Sequence, residues 1–145
     1  MRHVLGLIAV LGGVMLAQPA TAQLPRYKVI VNADNPAAVL MASELSRIYL
    51  GTANAWPDRT LVFPVDQPEG SPLQQRFLRE IIRKDSAALS RYWEQAIFSG
   101  RAVPPRTMAD DLEILDFVRK TRGAIAYVDA STVLGREVKV LQIVR

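Results

Sequence analysis

The alternation of apolar runs with amphipathic segments constrains the fold of this chain more than any other sequence feature. Four runs rich in β-branched and apolar residues predict strands, at residues 27–33, 60–65, 124–128 and 137–144. Four segments with apolar residues at helical spacing predict helices, at about residues 41–50, 72–83, 86–98 and 108–120. Strands that alternate with helices favour the α/β class. We therefore expect one three-layer α/β lobe with a mostly parallel central sheet.

Residues that favour helix ends mark several of these boundaries. Ser71 followed by Pro72 predicts a helix start, because serine caps free N–H groups and proline suits the first helical position. Ser43 is the expected cap of the first helix, and Gly51 is expected to end it. The acidic residues at 110–113 lie at the start of the fourth helix, where the helix dipole favours them. These carboxylates need no catalytic explanation.

The first residues have the composition of a secretory signal. Arg2 and His3 give a basic start, residues 4–17 are apolar, and a small-residue cleavage site ends at Ala22. The alternative is a membrane anchor, but the apolar run is shorter than the roughly 20 residues that span a bilayer. We predict a signal peptide at residues 1–22 and a periplasmic or secreted protein after cleavage near Ala22.

The remaining residues, 23–145, are predicted to form a single domain that contains no histidine and no cysteine. The chain has no Cys, and its one histidine, His3, belongs to the predicted signal. This composition excludes disulfides, thiolate or histidine-dependent nucleophiles, and metal sites built on His or Cys. We expect no enzyme, no catalytic residues, no bound metal and no cofactor.

The net charge of +4 is mild and does not by itself indicate a nucleic-acid partner. Basic residues do cluster in the second and third predicted helices: Arg76, Arg79, Arg83, Lys84 and Arg91. No aromatic stacking residues or known recognition motif accompany them, so a solvated helix face explains them. We expect no nucleic-acid binding.

Four segments carry motifs that occur in the same order in one protein family. In the first, residues 29–58 (VIVNADNPAAVLMASELSRIYLGTANAWPD), a strand and an Asn-Pro turn precede a helix that ends at 48–51 and a loop with Trp56. The others are FPVDQPEGSPLQQRF (63–77), YWEQAIFSGRAVPPR (92–106) and TRGAIAYV (121–128). These motifs resemble the periplasmic phosphate-binding proteins of ABC transporters, in particular their short single-lobe members. The resemblance implies the type II periplasmic binding fold.

The resemblance also implies a site for phosphate or another small oxyanion. The family holds phosphate with backbone N–H groups at helix N-termini and with Ser and Thr hydroxyls, a setting that favours anions. Gly70 and Ser71 match the family's Ser-Gly-Thr loop, so the resemblance assigns ligand binding to them. The chain departs from the pattern at Pro72, which has no N–H, and at Asp66, which lies near the position of a family arginine.

Three polar residues after the first strand are further candidates: Asn32, Asp34 and Asn35. Ligands of open α/β sheets bind beyond the carboxyl ends of strands. An ordinary turn explains the same residues, since Asn and Asp favour turns, and for Ser71 a plain helix cap is the favoured explanation. Both interpretations stay open.

Two functional hypotheses follow. The first is an exported solute-binding protein, similar to the phosphate-binding component of an ABC transporter, that holds an oxyanion at the five candidate residues. The second is a non-transport periplasmic interaction module that kept the fold and lost the ligand pocket, with an envelope membrane protein as its partner. A length that allows one lobe, together with Pro72 and Asp66, motivates the second.

Overall fold

The computed structural model describes residues 26–145, and the predicted signal peptide at residues 1–22 lies outside this range. The helices are α1 (Ala42–Tyr49), α2 (Pro72–Phe77), α3 (Ser86–Phe98) and α4 (Asp111–Lys120). The strands are β1 (Tyr27–Asn32), β2 (Val39–Met41), β3 (Phe63–Asp66), β4 (Arg106–Thr107), β5 (Ala124–Asp129), β6 (Val138–Val140) and β7 (Gln142–Val144). The predicted α/β class is confirmed, whereas the short strands β2 and β4 have no counterpart in the sequence prediction.

The five-stranded sheet has the order β4-β3-β5-β1-β6. Strand β3 runs parallel to β4 and β5, whereas β1 runs antiparallel to both of its neighbours, β5 and β6. The sheet is therefore mixed, and the expectation of a mostly parallel sheet is wrong in this respect. The direction of β1 is set by partners near the other end of the chain, so its own residues do not encode it.

The predicted strand at residues 137–144 divides into two. Strand β6 pairs with β1, and β7 pairs in parallel with β2 in a separate two-stranded sheet. Leu141 lies between them, is 2% exposed, and donates its backbone N–H to the carbonyl oxygen of Val29 at 2.9 Å. The chain thus passes from one sheet to the other at a buried leucine, which the continuous apolar pattern does not reveal.

Alternate residues of the two central strands face opposite layers. Val29 and Val31 of β1 pack with Tyr127 of β5 against the layer that contains α1 and α2. On the other face, Ile30 and Ala126 belong to the cluster that α4 covers. Both faces of β1 and β5 are therefore buried, which confirms the three-layer arrangement.

An aromatic cluster attaches two helices to the sheet. The rings of Phe77 in α2 and Tyr127 in β5 are parallel, with their centroids 4.0 Å apart, and Tyr49 of α1 lies 4.7 Å from Phe77. The Tyr49 hydroxyl donates to the carbonyl oxygen of Val65 at 2.8 Å. Tyr127 therefore has the packing role that aromatic residues of a central strand usually have.

The predicted helix at residues 72–83 changes its geometry halfway. It is α-helical to Phe77 and continues as a π-helical turn, Leu78–Ile82, in which the Arg83 N–H donates to the Leu78 carbonyl oxygen at 2.6 Å. The cap of α1 also differs from the prediction. The Met41 N–H donates to the Glu44 carboxylate at 3.1 Å, so Glu44 rather than Ser43 stabilises this helix start.

Candidate functional site

The strand directions separate the two halves of the predicted oxyanion site. Asn32 is the last residue of β1 and Asn35 lies in the turn after it, whereas Gly70 and Ser71 follow the carboxyl end of β3. Strand β1 is antiparallel to β5, and β3 is parallel to β5. The carboxyl ends of β1 and β3 therefore point in opposite directions along the sheet. The structure does not bring the two groups of residues together.

Asn32 caps the end of helix α4. Its Nδ2 donates to the carbonyl oxygens of Val118 at 2.9 Å and Arg119 at 3.0 Å, and its Oδ1 accepts from the Asp34 N–H at 2.9 Å. The last carbonyl groups of a helix have no donor within the helix, so the side chain satisfies two of them. Asn32 is buried, and both of its amide N–H groups are used inside the protein.

Asp34 and Asn35 form the turn that follows. Asp34 is exposed, whereas Asn35 is buried, and its Oδ1 accepts from the Ala37 N–H at 2.9 Å. The Lys139 ammonium donates to the Asn35 backbone carbonyl oxygen. Within residues 26–145, Asn35 Nδ2 is the one buried side-chain polar atom without a hydrogen-bond partner. The turn thus accounts for Asp34 and leaves one unused donor on Asn35.

Ser71 caps helix α2, and the N–H groups of Gly70, Ser71 and Gln74 are engaged within the chain. Its Oγ accepts from the Gln74 N–H at 3.3 Å, and its own N–H donates to the Pro68 carbonyl oxygen at 3.0 Å. The Gly70 N–H donates to Gln74 Oε1 at 2.7 Å, and Pro72 has no N–H to offer. The hydrogen bonds at this helix start are therefore those of an ordinary cap.

The carboxylate of Asp66 lies beside this helix start. Its Oδ2 accepts from Gln74 Nε2 at 3.0 Å, and its Oδ1 accepts from the Gln67 N–H at 2.9 Å and from the Tyr127 hydroxyl. Burial raises the pKa of the Tyr127 phenol well above its ordinary value, and the negative charge of Asp66 raises that pKa further. The Tyr127 hydroxyl therefore stays protonated and donates to the carboxylate.

A second carboxylate, Asp111, extends the same polar network. Its Oδ1 accepts from Gln67 Nε2 at 2.9 Å, and its Oδ2 accepts from the Thr132 hydroxyl at 2.6 Å and the Asp129 N–H at 3.0 Å. In the sequence alone, the helix dipole explains Asp111, and no motif predicts a role for Gln67. Glutamine has no local motif, so this network is visible only once β3, α4 and β5 are brought together.

An acidic cleft of about 330 Å³ lies between α2, α3 and the Pro104-Pro105 segment. Asp66, Glu69 and Glu94 line it, and no lysine or arginine of residues 26–145 does. Carboxylates repel an anionic ligand. The cleft next to the Ser71 cap therefore disfavours phosphate.

Residues 26–145 contain no group of three or more His, Cys, Asp or Glu side chains placed to hold a metal ion. Within the same range, no helix is both long enough and apolar enough to cross a membrane. The hydrogen-bonded carboxylates Asp66 and Asp111 connect elements of the fold through neutral donors.

No family model matches the sequence, and no curated protein is significantly similar to it. Solved structures do resemble it. An ABC-type phosphate transport receptor from Vibrio cholerae superposes with a TM-score of 0.64 at 18% identity, over 81% of this chain and 45% of the receptor. A substrate-binding protein assigned to a phosphate ABC transporter of Clostridium perfringens, solved with bound phosphate, gives 0.64 at 20% identity, over 81% and 44%. PstS from Borrelia burgdorferi gives 0.60 at 12% identity, over 82% and 47%.

These similarities establish the fold. The α/β lobe resembles one lobe of a periplasmic binding protein of the PstS type, as the sequence motifs imply. The chain spans less than half the length of each of these structures. Their descriptions are those of binding and transport proteins rather than of enzymes.

Proposed function

We propose that this chain is an exported, non-catalytic interaction module that uses one lobe of the phosphate-binding-protein fold and does not capture phosphate at Ser71. The observation that carries this proposal is the chemistry around the start of α2. The Gly70 N–H is bonded to Gln74, which also holds Asp66. An anion there would displace Gln74 and lie close to uncompensated carboxylates.

The electrostatic cost argues in the same direction. A phosphate ion near Asp66 and Glu69 carries the same sign of charge as both side chains. At an effective dielectric constant of about 20, two like charges about 4 Å apart repel by roughly 4 kcal/mol. The attraction of an anion to the start of one six-residue helix, α2, is too weak to offset this repulsion.

Export and an envelope membrane partner complete the proposal. The predicted signal at residues 1–22 supports export. The end of α3 supports an interaction role, because Ile97 is 54% exposed and Phe98 is 95% exposed. Large apolar side chains that are adjacent and exposed are typical of contact surfaces.

Calorimetric titration with phosphate and sulfate tests the first part. The protein, produced from the full chain and purified after export, is expected to give no binding heat with phosphate and no thermal shift at millimolar phosphate. Stabilisation by phosphate that disappears in Ser71→Ala would overturn the proposal. The Ser43→Ala variant, which changes an exposed serine of α1 outside the cleft, is the matched control.

Crosslinking in intact cells tests the second part. A tagged protein is expected to recover one membrane protein, and the recovery is expected to fall in Phe98→Ser but not in Val133→Ser. Val133 is 87% exposed, so its substitution removes a similar apolar surface elsewhere. Equal recovery by both variants would contradict a role for the α3 end.

A second candidate function, oxyanion binding at the turn after β1, is favoured by one observation. Asn35 Nδ2 is a buried donor without a partner among the described residues, and the Lys139 ammonium reaches the same residue. Phosphate or sulfate binding that is lost in Asn35→Ala and kept in Ser71→Ala would support this candidate. Absence of heat with both anions would count against it.

A further inference from the structure

A basic, apolar groove of about 370 Å³ lies between the start of β3 and residues 101–106. Its apolar lining includes Phe63, Val103 and Phe117. Two arginines, Arg101 and Arg106, also line it, and none of the described carboxylates does. The groove therefore combines an apolar surface with two positive charges.

The size and the exposed surface of the groove suit a small ligand. Ligand sites in proteins usually occupy about 300–1,000 Å³ and are mainly apolar with a few polar groups. Phe63 is 44% exposed and Val103 is 77% exposed. A ligand that covers these side chains would remove apolar surface from water, which is favourable.

The two guanidinium groups are available to an anion. Arg101 Nε donates to the Ser99 hydroxyl oxygen at 2.9 Å, and the Arg106 guanidinium lies 5.5 Å from the centroid of the Phe117 ring. Neither arginine forms an ion pair with a carboxylate of the described residues. Guanidinium groups bind carboxylate-like anions through two parallel hydrogen bonds.

The wall that carries the arginines is held close to α1. Gly51, which follows α1, lies so near to this wall that an added Cβ would be 2.7 Å from the Ala102 Cβ. The same added Cβ would be 3.6 Å from the Trp93 ring. Pro104 and Pro105 restrict the backbone of the same wall. A wall fixed in this way reduces the entropy that a ligand would lose in ordering its site.

The same two prolines separate the groove from the acidic cleft. Pro104 and Pro105 line both cavities, so carboxylates lie on one side of them and arginines on the other. An anionic head group is therefore attracted to the groove and repelled from the cleft. An anion would therefore occupy the side of the Pro104-Pro105 segment on which the arginines lie.

We propose that this groove binds an anionic amphiphile, a small molecule with an apolar body and one carboxylate or sulfonate head group. The body lies against Phe63 and Val103, and the head group contacts Arg101 and Arg106. This ligand site is additional to the interaction role proposed above and does not depend on it.

Two fluorescent probes that differ in charge test the proposal. Anilinonaphthalene sulfonate has an apolar body with an anionic head, and N-phenyl-naphthylamine is its neutral counterpart. Titration of the protein is expected to show saturable binding of the sulfonate. The Arg101→Gln/Arg106→Gln double variant is expected to weaken sulfonate binding about tenfold or more and to leave the weaker binding of the neutral probe unchanged.

Two control variants locate the effect. Arg91→Gln/Arg136→Gln makes the same change in net charge at exposed positions outside the groove and is expected to leave sulfonate binding unchanged. Val103→Ser is expected to weaken the binding of both probes, whereas Val133→Ser is expected to leave the binding of both unchanged. Equal losses in the two arginine double variants, or equal affinity for both probes, would overturn the proposal, as would the absence of sulfonate binding. Circular dichroism of each variant checks that it is folded.

Discussion

The side-chain amide of Asn32 is bonded to the carbonyl oxygen of Val118 at 2.9 Å, which fastens the last turn of α4 to the end of the central strand β1. This contact joins two elements that lie far apart in sequence. It also shows that a polar residue at the end of a strand can serve the fold instead of a ligand.

We expect Asn32→Ala to destabilise the protein by about 2 kcal/mol, because it removes the side-chain donor that two carbonyl groups at the end of α4 share. Urea unfolding should show a lower midpoint with an unchanged slope. Asp34→Ala is the matched control, since Asp34 is exposed and its backbone N–H is kept. A loss of stability in the control as large as that in Asn32→Ala would contradict a capping role.

Replacement of Ser71 tests whether its hydroxyl is a helix cap. We expect Ser71→Ala to cost about 1 kcal/mol of unfolding free energy, because the Gln74 N–H loses its acceptor. The measurement is again urea unfolding, with Ser90→Ala as a control that should change stability by less than about 0.5 kcal/mol. Unchanged stability in Ser71→Ala would show that the hydroxyl contributes no cap.

Stability should decrease at alkaline pH because of buried tyrosines. Burial raises the pKa of the Tyr49 and Tyr127 phenols above 10.0, the ordinary value, and the charge of Asp66 raises both further. The folded protein thus holds these protons more tightly than the unfolded chain does. Their contribution is complete below about pH 10 and is lost as the pH rises further, since the unfolded chain ionises first.

Urea unfolding between about pH 8 and pH 11 measures this dependence. The free energy of unfolding should fall at the upper end of the range, and the fall should be shallower in Tyr127→Phe. At neutral pH the same variant should lose about 1 kcal/mol, because the hydrogen bond to Asp66 is removed. An identical alkaline slope in the variant would exclude Tyr127 as a cause.

Two glycines with similar backbone angles separate strain from steric clash. Gly51 has φ +69° and Gly100 has φ +65°. An added Cβ at Gly51 would lie 2.7 Å from the Ala102 Cβ, whereas one at Gly100 would meet no atom of residues 26–145 within 4 Å. Gly100→Ala should cost about 1 kcal/mol from backbone strain alone. Gly51→Ala should cost clearly more, and thermal melts of both variants measure the difference. Equal losses would show that the wall at Ala102 yields to the added methyl group.

Local features of the fold are predictable from the sequence, and long-range features are not. Ser71 and Asp85 cap helices through nearby N–H groups, so short motifs encode these starts. The direction of β1 depends on partners from distant segments. The passage of the chain from one sheet to the other at Leu141 also depends on such partners. A pattern of apolar residues carries no information on which neighbour a strand will meet.

The candidate site shows the same limit. Asn32 and Ser71 would lie close together only if their strands ran parallel. Strand β1 is antiparallel to β5, so the two residues stay apart. The Asp66 network depends on Gln67 and Gln74, which are glutamines without a recognisable motif. The groove depends on Arg101, Arg106 and an exposed phenylalanine, which acquire a common role only in the folded chain.

The position of β1 also has a consequence for the order of events in folding. Strand β1 is the first element of the described residues, yet its partners β5 and β6 are among the last elements. A growing polypeptide therefore cannot complete the middle of its sheet until Val140 has been synthesised, and pairing over such a separation is slow. During that interval the apolar residues of β1 lack the partners that bury them in the folded protein.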